Sequence, residues 1–290
     1  MAALLALTAA VAYGAGDFLG GVAARREPAT AVVLWSHIVG LLLLATAAPL
    51  VGGEVTTPAL LIGAVAGVAG AAGVAAFYKA LSLGTMSVVA PITGLLSAAL
   101  PVLAGLGRGE RPEPVALVGI AIALLAIVLV SREAAGAGAG GDAGEASGRG
   151  RSSQQQARAL VLAVGAGVAF GLFFVIIDGA SESAGIWPLV AARVASVGLF
   201  GSLALAGLTA ARVPRTAGVA ALGCGVLDAA ANVLYVLALS HGLLSIVSVL
   251  TALYPASTVL LARYLLGERM SPVQRAGLAF AGCAALLIAA

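Results

Sequence analysis

The sequence predicts an all-α integral membrane protein with ten transmembrane helices arranged as two inverted five-helix repeats. Three observations support this fold class. Apolar residues make up 61% of the chain and charged residues only 9%, too few charges to cover the surface of a water-soluble protein of this length. Ten apolar segments are long enough to cross a bilayer. One stretch of the sequence also occurs twice.

Each of the ten segments contains about 20 mostly apolar residues, the length that spans the hydrocarbon core of a membrane. The connections at Leu83-Gly84 and His241-Gly242 are short enough to be tight hairpins. The first segment has no basic region before it and no cleavage site after it, which predicts a retained helix. The predicted segments are 2–22, 30–50, 59–82, 85–107, 114–131, 158–178, 186–209, 216–240, 243–266 and 272–290.

The repeated stretch comprises Ala80–Gly119 and Ala238–Gly277, which align without a gap at an offset of 158 residues. Identical residues occupy 17 of the 40 aligned positions, and they include Gly, Ser and Pro matches. Each half has five helices, an odd number, so the second half enters the bilayer inverted relative to the first. The sequence therefore predicts repeats at 1–131 and 158–290, joined by a flexible linker at 132–157 that is rich in Gly, Ala, Ser and Gln.

Two motifs recur in the repeats: an Ala-Leu-Ser hairpin at 80–84 and 238–242, and a Gly-Glu-Arg triplet at 109–111 and 267–269. With two five-helix repeats, they resemble the EamA-type transporters of the drug/metabolite transporter superfamily. The resemblance covers nearly the whole chain except the linker. It implies alternating-access transport, commonly efflux, of small metabolites, amino acids or drug-like compounds. Asp17 departs from the apolar pattern of the family's first helix. We expect a multi-pass protein of a bacterial inner (cell) membrane.

Polar side chains within the predicted helices are candidate binding residues, because they are costly in hydrocarbon and usually face a cavity or a partner. Asp228 lies at the middle of the eighth helix, and Asn232 and Tyr235 follow on the same face. Asp17 lies in the first helix with Tyr13 one turn before it. The candidate substrate-binding residues are Tyr13, Asp17, Trp35, His37, Tyr78, Phe170, Arg193, Asp228, Asn232, Tyr235 and Tyr254.

These residues suggest proton-linked or cation-linked exchange of a cationic or amine substrate. A carboxylate in a low-dielectric cavity favours its protonated form, so it can release its proton when such a substrate binds. Aromatic walls attract apolar and cationic ligands. Structural alternatives stay open for three candidates: Arg193 as an ion-pair partner of Asp178 or Asp228, His37 as a hydrogen-bonded structural group, and Tyr254 as a packing residue.

Other functions have less support in the sequence. The net charge of +3 comes from scattered arginines and not from a basic face, which argues against nucleic-acid binding. We expect no cofactor and no metal; the partners expected are membrane lipid, a small-molecule substrate and protons. A polytopic membrane enzyme using His37, His241 and Asp228 is one alternative, although no metal-binding or nucleophile motif is present. A passive channel is another.

Charge and family resemblance disagree about the orientation of the chain. Twelve Lys and Arg residues lie in or beside the loops after odd-numbered helices, whereas the loops after even-numbered helices carry only Arg108 and Arg111. The positive-inside rule places the odd-numbered loops and the linker in the cytoplasm and both termini outside. The family resemblance implies the opposite arrangement. We adopt the charge-based orientation as a hypothesis.

Overall fold

The computed structural model describes residues 1–24, 27–83, 86–131, 153–180, 182–212, 218–265, 267 and 270–289. Within these ranges the chain forms eleven α-helices, a short 3₁₀ helix at Glu182–Ala184 and no strand. The α-helices are α1 (Ala2–Ala24), α2 (Ala29–Val51), α3 (Thr57–Leu83), α4 (Met86–Gly107), α5 (Pro114–Ser131), α6 (Ser153–Asp178), α7 (Trp187–Leu205), α8 (Gly218–Leu239), α9 (Leu244–Thr251), α10 (Tyr254–Leu265) and α11 (Pro272–Ala289).

Nine stretches of the described chain are long and apolar enough to cross a membrane, and α9 and α10 together form one of them. The tenth span is α4, which contains the shorter apolar stretch Ile92–Gly107. Large apolar side chains such as Leu42, Val65 and Leu205 are exposed, as expected for helices whose solvent is lipid. The prediction of an all-α membrane protein with ten transmembrane helices is confirmed.

Eight of the ten spans form a closed ring, in the order α3, α6, α4, α9–α10, α1, α8, α2, α7 and back to α3. The remaining two, α5 and α11, pack against each other beside α4 and α10. Each of the first five spans has a counterpart at the same place among the last five. If every span is replaced by its counterpart, each contact of the ring becomes another contact that the ring also contains. The two halves are therefore related as repeats. Because each half crosses the membrane an odd number of times, they are inverted repeats.

The loops sort onto two faces of the molecule, because every span reverses the position of the chain. The terminal face contains the start of α1, the end of α11 and the connections at 52–56, 108–113, 179–186 and 240–243. The linker face contains the C-terminal ends of α1, α3, α5, α7 and α10 and the N-terminal ends of α2, α4, α6, α8 and α11. These two names are used below.

Glycines allow close contact between the halves where α3 crosses α7. A Cβ atom on Gly63 or Gly67 would lie 2.7 Å from the carbonyl carbon of Pro188 or Ala192, respectively. Such a distance is shorter than a van der Waals contact, so only glycine fits at this separation of the helices. The Gly63/Gly67 spacing therefore serves close packing of α3 against α7.

Two details of the sequence prediction are corrected by the structure. Helix α6 begins at Ser153, so residues 153–157 of the predicted linker are helical, since Gln and Ala are good helix formers beside an apolar segment. The rest of the linker, 132–152, lies outside the described residues. The ninth span is not one continuous helix, because Ala252 and Leu253 separate α9 from α10. Pro255, which follows, has no N–H group to continue the helical hydrogen bonding.

Candidate functional site

Asp17 on α1 faces the interior of the ring. Gly16 and Gly20 lie against α8, and Gly14 lies against Tyr254 and Ser257 of α10. At 3.6 residues per turn, Asp17 points midway between these contacts, about 60° from both Gly20 and Gly14. Helices α8 and α10 flank α1 in the ring, so the direction between them is inward. The Asp17 side chain is exposed there and makes no hydrogen bond or ion pair with any described residue.

Asp228 on α8 forms an ion pair with Arg193 on α7. The Arg193 side chain is 11% exposed and the Asp228 side chain 26%, so the pair lies largely inside the protein. The Asn232 amide nitrogen donates to the Asp228 backbone oxygen at 2.8 Å and reaches its carboxylate at 3.4 Å. The carboxylate of Asp228 thus has a cation and an amide donor. This pair is the structural alternative that the sequence analysis left open for Arg193.

A small cavity lies beside the ion pair, where α2, α3, α6, α7 and α8 meet. Its polar lining comes from His37, Arg193, Ser196 and Asn232. Its volume is about 30 Å³, room for about two water molecules. His37 Nδ1 lies 3.1 Å from Ser196 Oγ, which in turn donates to the Arg193 carbonyl. His37 is therefore linked through Ser196 to the helix that carries Arg193.

An aromatic cluster fills the ring on the terminal-face side of Asp17. Phe174 of α6 lies 4.6 Å from Tyr235 and 6.5 Å from Tyr13, measured between ring centroids. Tyr13 also contacts Tyr254 at 6.4 Å, and Phe173 contacts Phe174 at 5.5 Å. Tyr235 is fully buried and its hydroxyl lies 2.8 Å from Ser248 Oγ. Five aromatic residues, near the ends of α6 and α8, at the middle of α1 and at the start of α10, thus fill this part of the ring.

Polar contacts between the halves close the terminal face. The Glu110 carboxylate accepts hydrogen bonds from the backbone N–H groups of Leu244 at 2.7 Å and Ser245 at 3.0 Å, so it caps the start of α9. Arg108 forms an ion pair of 2.6 Å with Asp178, the last residue of α6. The same loop of the first half therefore holds two helices of the second half.

A further contact ties the halves at the terminal face. The Glu54 backbone N–H donates to the Ser183 carbonyl at 2.7 Å, and Ser183 Oγ lies 3.3 Å from the Glu54 carboxylate. A Cβ on Gly53 would meet the backbone of Ala184 and Gly185. The connection between α2 and α3 is thus pressed against the 3₁₀ turn between α6 and α7.

Two predicted site residues, Trp35 and Phe170, lie apart from this group. Trp35 donates its indole N–H to the Ala211 carbonyl at 3.3 Å, in the connection that follows α7. Phe170 packs edge-on against Phe77 between α6 and α3, where its ring touches the position of Gly73. Tyr78 belongs to α3, and its side chain lies outside the described residues.

Sequence reasoning did not single out Phe173, Phe174, Ser196 or Glu110 as parts of the site. The sequence did contain one indication for Phe174. Tyr13 and Phe170 occupy equivalent positions of the two halves at an offset of 157 residues, and at the same offset Phe174 is the repeat mate (the equivalent residue in the other half) of Asp17. Another was present for Glu110, which belongs to the repeated Gly-Glu-Arg triplet. Ser196 had no such signal, because only folding brings it to His37.

An inverted-repeat ring of helices with charged groups inside it is typical of membrane transporters. The model of the EamA-like transporter family matches residues 1–132 and 157–290. The chain therefore belongs to the EamA-like transporter family and is a membrane transporter of the drug/metabolite type. A crystal structure of a protein with 16% sequence identity has a TM-score of 0.79, covering 99% of this chain and 95% of that chain. At this identity the likeness shows the fold alone. No curated protein matches the chain.

Proposed function

We propose that the protein is a secondary transporter that exchanges protons for a cationic or amine substrate, with Asp17 as the shared binding group. One observation carries this proposal: Asp17 is exposed inside the ring and has no cation among the described residues. A carboxylate in such a place needs either a proton or a positively charged ligand. Proton and substrate would therefore compete for one group, which is the simplest form of coupled exchange.

Asp228 has a different role in this proposal. Asp228 is a candidate for the coupling carboxylate because of its central position in the eighth span, but the ion pair with Arg193 already balances its charge. We assign the pair to holding α7 and α8 in register beside the cavity. Asn232 and the His37–Ser196 contact support the same arrangement. Asp17 is left as the negative charge of the ring interior that a ligand can reach.

The direction of transport follows from the charge-based orientation. Asp17 lies seven residues from the linker-face end of α1, about 10 Å at 1.5 Å per residue. The positive-inside rule places this face in the cytoplasm, while polar contacts and aromatic residues close the terminal face. A substrate would then load from the cytoplasm and leave through the terminal face. The protein is an exporter in this proposal.

Exchange can be measured in proteoliposomes that contain the pH dye pyranine. Ethidium, tetraphenylphosphonium and 1,4-diaminobutane are added outside in turn, and the internal pH is followed. We expect saturable internal alkalinisation with at least one of these cations, because each cation that enters displaces a proton. The Asp17→Asn variant should give no pH change. The Glu113→Gln variant, altered at an exposed acid of the terminal face, should behave as the wild type.

Two results would contradict the proposal. Cation-driven alkalinisation that persists in Asp17→Asn would remove Asp17 from the coupling. Flux that rises linearly with cation concentration would favour a passive channel. Family membership as a transporter stands in either case, because it rests on the match of the chain to the family model.

A further inference from the structure

The fourth and ninth spans are repeat mates that pack on α6 and α1 in the same register. A Cβ on Gly171 of α6 would lie 3.2 Å from the Leu96 carbonyl oxygen of α4. The mate of Gly171 is Gly14, and the mate of Leu96 is Tyr254. A Cβ on Gly14 would indeed meet the Tyr254 carbonyl oxygen. Thus α10 sits on α1 as the second part of α4 sits on α6.

The first parts of the two spans differ. Helix α4 runs without interruption from Met86 to Gly107, whereas α9 is separated from α10 at Ala252 and Leu253. Thr93 of α4 is buried and donates its hydroxyl to the Ala163 carbonyl of α6 at 3.2 Å. Its mate Thr251 is also fully buried, yet its hydroxyl has no partner among the described residues.

An unpaired buried hydroxyl costs free energy, so a native structure that keeps one needs a reason. Ser245 supplies a second example on the same short helix, since its hydroxyl is likewise buried without a partner in the described chain. Both unpaired hydroxyl groups lie on α9, the segment whose arrangement differs from that of its repeat mate. The hydrogen bond of Thr93 shows that a threonine at this position can donate to a backbone carbonyl of the adjacent helix.

We infer that α9 has a second position, in which it joins α10 as one helix and Thr251 donates its hydroxyl to the Ala6 carbonyl of α1. Ala6 is the repeat mate of Ala163 at the offset of 157. Because the two halves of an inverted repeat share one fold, the arrangement that α4 has now is one that α9 can adopt in the opposite state. This inference rests on the proposed alternating-access function. It assigns Thr251 and Thr93 as the two residues that set the balance between the states.

The present position of α9 is held at its start and at its middle. Glu110 binds the first two backbone N–H groups of α9, and Ser248 holds Tyr235 in the aromatic cluster. At its other end, Pro255 removes one helical hydrogen bond and so lowers the cost of separating α9 from α10. Ser97, the mate of Pro255, instead donates its hydroxyl to the Gly94 carbonyl within the unbroken α4. Release of Glu110 would let α9 move from the terminal face towards α1.

The inference is tested by measuring distances across the terminal face. Spin labels are placed at Arg111→Cys and His241→Cys, two exposed positions on either side of the Glu110 contact, after Cys224 and Cys283 are replaced by alanine. Double electron–electron resonance then reports a short distance for the present state and a longer one for the open terminal face. A parallel series in a Glu110→Gln background raises the longer-distance population to a level that can be quantified.

Thr251→Val and Thr93→Val should shift the two populations in opposite directions. Valine at 251 loses only a hydrogen bond of the opposite state, so the ratio of long to short distances should fall about three- to tenfold. Valine at 93 loses a hydrogen bond of the present state, so the ratio should rise by a similar factor. Thr251→Ser keeps the hydroxyl and should match the parent, and the double valine variant should lie near it.

Shifts in the same direction, or one unchanged distance in every variant, would overturn the inference; the latter would make the division of the ninth span a fixed proline bend. The measurement needs no substrate, so it separates this inference from the proposed function. Two distance populations with the expected shifts, but no cation exchange, would refute only the proposed substrate and coupling. Cation exchange without the opposite shifts would refute only the roles of Thr251 and Thr93.

Discussion

Helices α1 and α6 are repeat mates that pack alike and differ in what they present to the ring. Gly14 of α1 and Gly171 of α6 contact equivalent carbonyl oxygens on α10 and α4. Three residues further along, however, α1 carries Asp17 and α6 carries Phe174. Asp17 is exposed and without a described partner, whereas Phe174 packs on Tyr235 at 4.6 Å. The same position of the repeat thus carries a charged group in the first half and an aromatic ring that fills the interior in the second half.

This difference separates two kinds of constraint on a duplicated membrane protein. Small residues set how closely helices approach, and both halves keep them where backbones meet. Residues that face the ring interior are free of that packing constraint, so the two copies can diverge in chemistry. The architecture is shared between the halves, while the candidate binding chemistry belongs mainly to the first helix and to the α7–α8 ion pair.

The most severe test exchanges the residues of the two mates. Phe174→Asp should lower the free energy of unfolding by about 4 kcal/mol, because it places an unpaired carboxylate among aromatic rings. Asp17→Phe should keep the fold and abolish cation exchange. Unfolding in mixed detergent micelles and the pyranine assay measure the two effects. If both variants fold equally well, the two positions are not as different as we describe.

Breaking the ion pair should have the next largest effect. Asp228→Asn leaves Arg193 without its carboxylate in a largely buried place, which should cost about 3 kcal/mol of stability. The double variant Asp228→Asn, Arg193→Gln should recover much of this loss, since no uncompensated charge remains. Thermal unfolding in detergent provides the measurement. A wild-type pH profile of transport in a stable Asp228→Asn protein would exclude Asp228 from coupling, and loss of that profile would restore the sequence-based hypothesis.

Alanine at the paired glycines tests the shared packing. Gly14→Ala and Gly171→Ala should each destabilise the protein by about 2 kcal/mol, because the added methyl group overlaps neighbouring atoms. The effect at Gly14 should be at least as large, since a backbone carbonyl oxygen lies in the way. Gly21→Ala and Gly165→Ala are controls on the same helices with no atom within 4 Å of the new Cβ. A loss at the controls equal to that at Gly14 would contradict the packing argument.

The smallest effect concerns the hydrogen bond between Tyr235 and Ser248. Ser248→Ala should cost about 1 kcal/mol, because the buried Tyr235 hydroxyl loses its partner. The repeat mates of this pair are Phe77 and Ala90. The double variant Tyr235→Phe, Ser248→Ala copies the first half into the second, and it should be more stable than Ser248→Ala alone. Equal unfolding of the single and double variants would remove the hydrogen bond from the comparison.

Much of the fold could be predicted because membranes impose simple rules. Apolar length identifies the spans, and a repeat at an offset of 158 residues with five spans per half requires inversion. Segment ends were less certain: α6 starts before residue 158 because its polar first turn is helical without being apolar. The division of the ninth span at Ala252 was also missed, although Pro255 was visible, because proline bends only some membrane helices.

Composition, segment length and internal similarity are enough to assign the class of the protein: ten spans, two inverted repeats and membership of a transporter family. The sequence also identified Asp17, Arg193, Asp228 and Asn232 as polar groups that hydrocarbon cannot surround. Only the tertiary structure decided which of them pair. The partners Arg193 and Asp228 lie on different helices, and their meeting depends on how α7 and α8 rotate about their axes. That rotation is set by side-chain packing around the ring, which leaves no periodic signal in the chain.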